Sequence, residues 1–87
     1  MQSTLARFLT YLRVERNSSE LTIKSYREDL IALIDYLVES IGHSPQPVEV
    51  TTLDLRGYVS ALNEAGYART SISRRLASTR SFFRFVQ

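Results

Sequence analysis

Apolar residues recur at helical spacing in four stretches, and no stretch alternates with the period of two that a strand requires. Leu5, Phe8, Leu9 and Leu12 predict a first helix over roughly 4–16, with Ser3 or Thr4 as its cap. "RNSS" breaks it. Ser19 then caps a second helix over roughly 20–41, whose stripe is Ile23, Tyr26, Leu30, Leu33, Ile34, Leu37 and Ile41, and Gly42 supplies the stop. "HSPQPVEV" holds two prolines and predicts an extended connector. Thr51 followed by Asp54 resembles a capping box for a third helix over roughly 52–65, which buries Leu55, Tyr58, Val59 and Leu62 and ends at Gly66. A fourth helix, capped by Thr70 or Ser71, carries the stripe Ile72, Leu76, Thr79, Phe83 and Val86. Each helix has one apolar face to cover, so the expected fold is an all-α four-helix bundle in a single domain over 1–87.

The end of the fourth helix fits that stripe less well. With Ile72 at 0° and about 100° per residue, Phe82 falls near 280° and Phe85 near 220°. Two readings stay open. Phe82 packs under the first helix, or the late aromatics pack on something beyond this chain. The pattern runs to Gln87 without a stop signal, which suggests a domain cut from a longer protein.

Composition narrows the function by exclusion. Eighty-seven residues support one modest core, and 44% hydrophobic residues suffice to fill it without staples. There is no cysteine, so disulfides, thiolate metal sites and cysteine nucleophiles are excluded. The N-terminus reads as an amphipathic helix rather than a signal peptide, and no run is long enough for a membrane span, so a cytoplasmic protein without a membrane partner is expected. The one histidine, His43, sits in the connector with no metal-ligand partners at useful spacing. Asp29 and Asp35 fall on different faces of the second helix. Tyr26 and Tyr58 lie on apolar stripes, and Tyr11, Tyr36 and Tyr67 lack an adjacent base. No active site, metal or cofactor is expected.

Charge is distributed less blandly than the net value of +2 suggests. Residues 69–87 hold Arg69, Arg74, Arg75, Arg80 and Arg84 with no acid, while residues 19–43 sum to −3. On the fourth helix Arg74 and Ser81 lie near 180–200°, Ser78 near 240°, Arg75 near 300° and Arg80 near 80°. Arginine thus occupies the outer face and both shoulders, with small serines between that allow close approach. Thr70, Ser71 and Ser73 sit at the positive end of the helix dipole. The start of the second helix adds Thr22, Lys24, Ser25 and Arg27. Phosphate contact with a nucleic acid is one reading of these two faces. A second is a plain surface helix whose arginines pair with acids of the second and third helices, and a third is a helical protein-protein interaction module with no DNA role, whose arginines serve acidic partners or surface pairing and whose fourth-helix aromatics dock another chain.

The order and spacing of three motifs discriminate further. The first helix carries F-L-x-Y-L at Phe8, Leu9, Tyr11 and Leu12. The second carries T-x-x-x-Y-x-x-D-L at Thr22, Tyr26, Asp29 and Leu30. The fourth carries Ser71, Arg75, Leu76, Arg80, Phe82 and Phe83 in the pattern S-(x)3-R-L-(x)3-R-x-F-F. Together they span nearly the whole chain, and it resembles the N-terminal core-binding, SAM-like domain of tyrosine recombinases of the phage-integrase and Xer class. That resemblance implies a compact bundle of two crossed helical hairpins that clamps double-stranded DNA at a recombination site through helices 2 and 4. It implies DNA-facing residues at Thr22, Lys24, Ser25 and Arg27 and at Ser71, Arg74, Arg75 and Ser78, with Arg80 either joining them or pairing with Asp29. It implies a protomer interface on the first helix, at Phe8 and Tyr11. It also implies a separate C-terminal catalytic domain that carries the nucleophilic tyrosine, so that no tyrosine here is catalytic, and further recombinase protomers on the DNA. A prokaryotic or phage-encoded, nucleoid-associated protein would follow. The chain departs from the pattern at Thr79, where an aliphatic residue is usual, and at Ser73–Arg74, which is more polar than usual.

Overall fold

A computed structural model describes residues 1–86. Four α-helices and one short 3-10 turn follow in the order α1 (Gln2–Val14), α2 (Glu20–Ile41), the turn (Pro47–Glu49), α3 (Thr52–Glu64) and α4 (Arg69–Val86), with no strand among the described residues. The expected run of the helical pattern through Gln87 lies outside the described residues.

Local chemistry sets most boundaries. The Ser19 hydroxyl accepts from the Thr22 amide and caps α2. Gly42, at φ +100°, closes α2 in the left-handed conformation that a residue with a Cβ adopts at a cost. Thr51 and Asp54 form the reciprocal capping box of α3, at 3.1 and 2.9 Å. Two expected caps are corrected. α1 starts at Gln2 behind Met1 with no side-chain cap, so Ser3 and Thr4 lie inside its first turn. α4 starts at Arg69, one turn-position early, so Thr70 and Ser71 are also internal. The connector is not wholly extended either, because Pro47 favours a single 3-10 turn that the Glu49 carboxylate closes by accepting from the Gln46 amide at 2.7 Å.

α2 is the central element and packs against α1, α3 and α4, while α4 also packs on α1 and α3. Ile23, Leu30, Leu33, Ile34 and Leu37 of α2 are buried in the middle of the core. Phe8 of α1 is its aromatic hub. It meets Phe82 edge-on at 5.5 Å, Tyr26 edge-on at 5.6 Å and Phe85 at 5.3 Å. Phe82, not Phe83, is the fully buried aromatic of α4. The buried residues Ile72, Ser78, Thr79 and Phe82 place the packed face of α4 about 50° round from the stripe read in the sequence. Phe82 lies under α1, as the first reading of the late aromatics has it, and Phe85 packs on Phe8 and Tyr11 while staying partly exposed. Thr79 costs the core little, because its hydroxyl donates to the Arg75 carbonyl at 2.9 Å.

A candidate nucleic-acid interface between α2 and α4

Thr22, Ser25 and Asp29 stand at i, i+3 and i+7 on α2 and therefore form one ridge along a single face. That ridge faces Arg74, Ala77 and Ser78 of α4 across a groove of about 210 Å³, with Tyr26 at its edge. The floor is a buried carboxylate. Asp29 accepts from Arg74 Nη2 at its Oδ1 and from the Ser78 hydroxyl at its Oδ2, both at 2.8 Å. Its side chain is 2% exposed, whereas that of Arg74 is 56% exposed. A carboxylate so removed from water must keep both oxygens engaged, and α4 supplies both donors. Three of the expected contact residues thus meet across the groove in open positions: Thr22, Ser25 and Arg74. Ser78 joins them, but buried, as the second support of Asp29.

Tyr26 also lines a second pocket of about 130 Å³, which Phe8, Tyr11 and Phe85 bound with it and which has Arg16, Ser81 and Arg84 around it. Arg16 and Arg84 are exposed, as are Arg69 and Arg80 further round α4. The ion pairs among the described residues are Arg13–Glu20 and Arg74–Asp29, so these four arginines are free of acids.

Several expectations need correction. Asp29 pairs with Arg74, not with Arg80, because Arg80 lies about 120° from Arg74 on α4 and faces solvent. Arg75 does not stand outward. Its guanidinium lies over the Tyr67 ring at 4.8 Å, its Nη1 is 3.5 Å from the Tyr58 hydroxyl, and its Nε is buried without an acceptor. Burial opposes its charge, but the Tyr58 hydroxyl and the fields of Tyr58, Tyr67 and Asp29 outweigh that and hold it above its ordinary value. Lys24 and Arg27 are exposed but point to the other side of α2 from the Thr22–Ser25–Asp29 ridge, roughly 150° away. Arg27 contributes instead to the field around Glu20, which Arg13 hydrogen-bonds. Ser71 is half-buried and does not line the groove. Phe8 is 1% exposed and Tyr11 partly buried, so burial removes Phe8 from any outer surface.

The sequence reading missed Tyr26 as a wall of this surface, because its place on an apolar stripe marked it as core. It also missed Arg16, which it placed within the first helix and on neither basic face, and which lies beyond the end of α1 at Val14. The spacing of Thr22, Ser25 and Asp29 was the available signal for the ridge.

Four helices packed around one core, with an open groove between α2 and α4, define an all-α helical-bundle domain. The chain belongs to the phage integrase N-terminal SAM-like domain family, whose model matches residues 5–87. Among curated proteins it is similar to the tyrosine recombinase XerC of Pelotomaculum thermopropionicum, at 39% identity over 91% of this chain and 27% of that protein. The tyrosine recombinase XerC of Herpetosiphon aurantiacus is 39% identical over 100% of the chain and 28% of its own length. That of Listeria innocua is 40% identical over 92% of the chain and 26% of its own length. The chain therefore spans about a quarter of the length of these relatives. No solved structure matches it. No helix among the described residues is long and apolar enough to cross a membrane.

Proposed function

We propose that this chain is the DNA-holding module of a site-specific tyrosine recombinase and lays the N-terminal half of α2 and the outer face of α4 against duplex DNA. The observation that carries the reading is the α2–α4 groove, where hydroxyls of Thr22 and Ser25 face Arg74 over small residues, with the acid-free Arg16 and Arg84 around the neighbouring pocket. Small side chains let a backbone or base edge come close, and exposed guanidinium groups exchange counterions for phosphates. Arg16, Arg69, Arg80 and Arg84 are the phosphate contacts. Lys24 and Arg27 add only long-range attraction. Bond breaking and joining belongs to a separate catalytic domain, a reading supported by the length of the recombinase relatives, of which this chain spans about a quarter, and further protomers assemble on the same DNA.

A residue-resolved NMR titration with a short duplex tests this. Shifts should concentrate at Thr22, Ser25, Arg74, Ser81 and Arg84 and fade as salt rises. Four phosphate contacts give a log–log salt slope of about −3.6, at affinities of roughly 10⁻⁴–10⁻⁶ M for non-specific DNA. Shifts gathered instead on the apolar α3–α4 groove of Leu55, Val59 and Leu76, or no shifts at low salt, would exclude DNA holding and favour a protein-interaction module.

A further inference from the structure

We infer that Arg74 reads a base edge, that Asp29 is the residue positioning it, and that the remaining exposed arginines serve phosphates. This division of labour rests on the DNA-holding reading above.

Arg74 differs from Arg69, Arg80 and Arg84 in one respect: it is tied to an acid. The tie has two physical consequences. Asp29 is itself fixed on both oxygens, so it holds one end of the Arg74 guanidinium in place and removes rotamer freedom before any ligand arrives. The pair is also neutral overall, so Arg74 brings little net charge to a phosphate and releases few counterions. What remains is direction. Asp29 accepts from one N–H of Nη2, so the other N–H of Nη2 remains beside a neighbouring donor, Nη1 or Nε, and neither of these has an acceptor within the described residues, on a side chain that is 56% exposed.

The surroundings favour a base over a phosphate. A phosphate lodged in the groove would bring its charge close to the Asp29 carboxylate, and like charges repel in this poorly solvated site. A base edge carries no net charge. Ala77 and Ser78 keep the α4 side of the groove low, and Thr22 and Ser25 add hydroxyls opposite. A planar fork of donors matches the O6 and N7 acceptors of guanine in the major groove. The ligand is therefore a guanine-containing duplex step.

The test compares this chain with Arg74→Lys, Asp29→Asn and Arg84→Ala. A preferred duplex is first selected from a randomised pool with the unaltered chain, and each protein is then titrated with that duplex and a scrambled one across salt. Thermal melts confirm that each variant folds. Arg74→Lys keeps the charge and the reach to Asp29 but loses the fork. It should lose roughly 5- to 150-fold on the preferred duplex and nothing on the scrambled one, with the salt slope unchanged. Asp29→Asn should lose preference in the same way while binding scrambled DNA no more weakly than before, since a negative charge has gone. Arg84→Ala should weaken both duplexes alike and lower the slope by about 0.9. A loss of purely structural support would not alter preference at constant slope.

The inference is overturned if Arg74→Lys binds both duplexes as the unaltered chain does, or weakens both equally with a shallower slope. It is also overturned if the unaltered chain binds duplexes measurably but without preference. If the unaltered chain binds no duplex at low salt, the DNA-holding reading itself has failed.

Discussion

Replacing Arg74 with Met removes the charge and donors while keeping most of the side-chain volume, and it isolates what the Asp29 network does for the fold. Breaking a fully buried ion pair by deleting one partner costs about 3–5 kcal/mol, because a charge is left without compensation. This pair is only half shielded, since Asp29 is 2% exposed but Arg74 is 56% exposed. Water can reach Oδ1 through the groove once the guanidinium has gone, and Ser78 still donates to Oδ2. The expected loss is therefore about 1–3 kcal/mol, the cost of one buried unsatisfied acceptor rather than that of a bare buried charge. For a domain of this size it lowers the melting temperature by about 4–8 °C per kcal/mol.

The informative measurement is a double-mutant cycle with Asp29→Leu, by urea denaturation followed by circular dichroism. Asp29→Leu alone should cost about 1–2 kcal/mol, because Ser78 loses its acceptor while Arg74 turns to water. The double variant should cost less than the sum by about 1–2 kcal/mol, since no charge is then left unpaired. If the two changes add to within about 0.5 kcal/mol, Asp29 and Arg74 do not hold α2 and α4 together, and the account of the groove floor is wrong.

Three other outcomes are expected. Phe8→Ala should destabilise by about 3–5 kcal/mol in chemical denaturation, because the ring is 1% exposed and touches three aromatics of α2 and α4; a loss below about 1 kcal/mol would mean the hub is misplaced. Gly57→Ala places a Cβ 2.6 Å from the Tyr36 hydroxyl, so it should destabilise alone yet stabilise by up to about 1 kcal/mol when combined with Tyr36→Phe, as helix propensity then acts unopposed; equal effects in both backgrounds would refute the contact. Glu20 is held below its ordinary 4.5 by the Arg13 hydrogen bond first, then by the charges of Arg13 and Arg27, so its contribution is full above the unfolded value and lost as pH falls through the lowered folded one; carboxyl NMR should show Glu20 returning toward 4.5 in Arg13→Ala, and no change would dismiss the pair.

The helices were legible because their signals are local. Ser19, Gly42 and the Thr51–Asp54 pair set ends that depend on a few neighbouring atoms. The packed face of α4 was not, and Arg75 shows why. It lies within the buried arc, where a stripe drawn from apolar residues leaves a gap, because an arginine stem and flat guanidinium can be covered while its name still says surface. Counting it as polar pulled the stripe toward Phe83 and away from Phe82. The α2 patch failed differently. Thr22, Lys24, Ser25 and Arg27 are close in sequence, but a helix turns them to opposite sides, and only tertiary packing decides which side meets α4. Proximity along the chain joined residues that the bundle separates.

The fate of the five arginines of α4 changes how its charge should be counted. Arg75 is committed to Tyr58 and Tyr67, and Arg74 is balanced by Asp29. Three remain as free charges on α4, and Arg16, just beyond the end of α1, restores the number to four on the same side as Arg84. An electrostatic footprint drawn from α4 alone, at one counterion per arginine, gives a salt slope of about −4.5, whereas the footprint drawn from the packed molecule gives about −3.6 and includes a residue outside that helix. The two differ by one charge in total but by their response to mutation. Arg16→Ala should reduce the slope by about 0.9 and Arg75→Ala should leave it unchanged, although Arg75 belongs to the motif and Arg16 to no motif at all. Measured slopes for that pair therefore separate a surface set by packing from one set by the order of residues along α4.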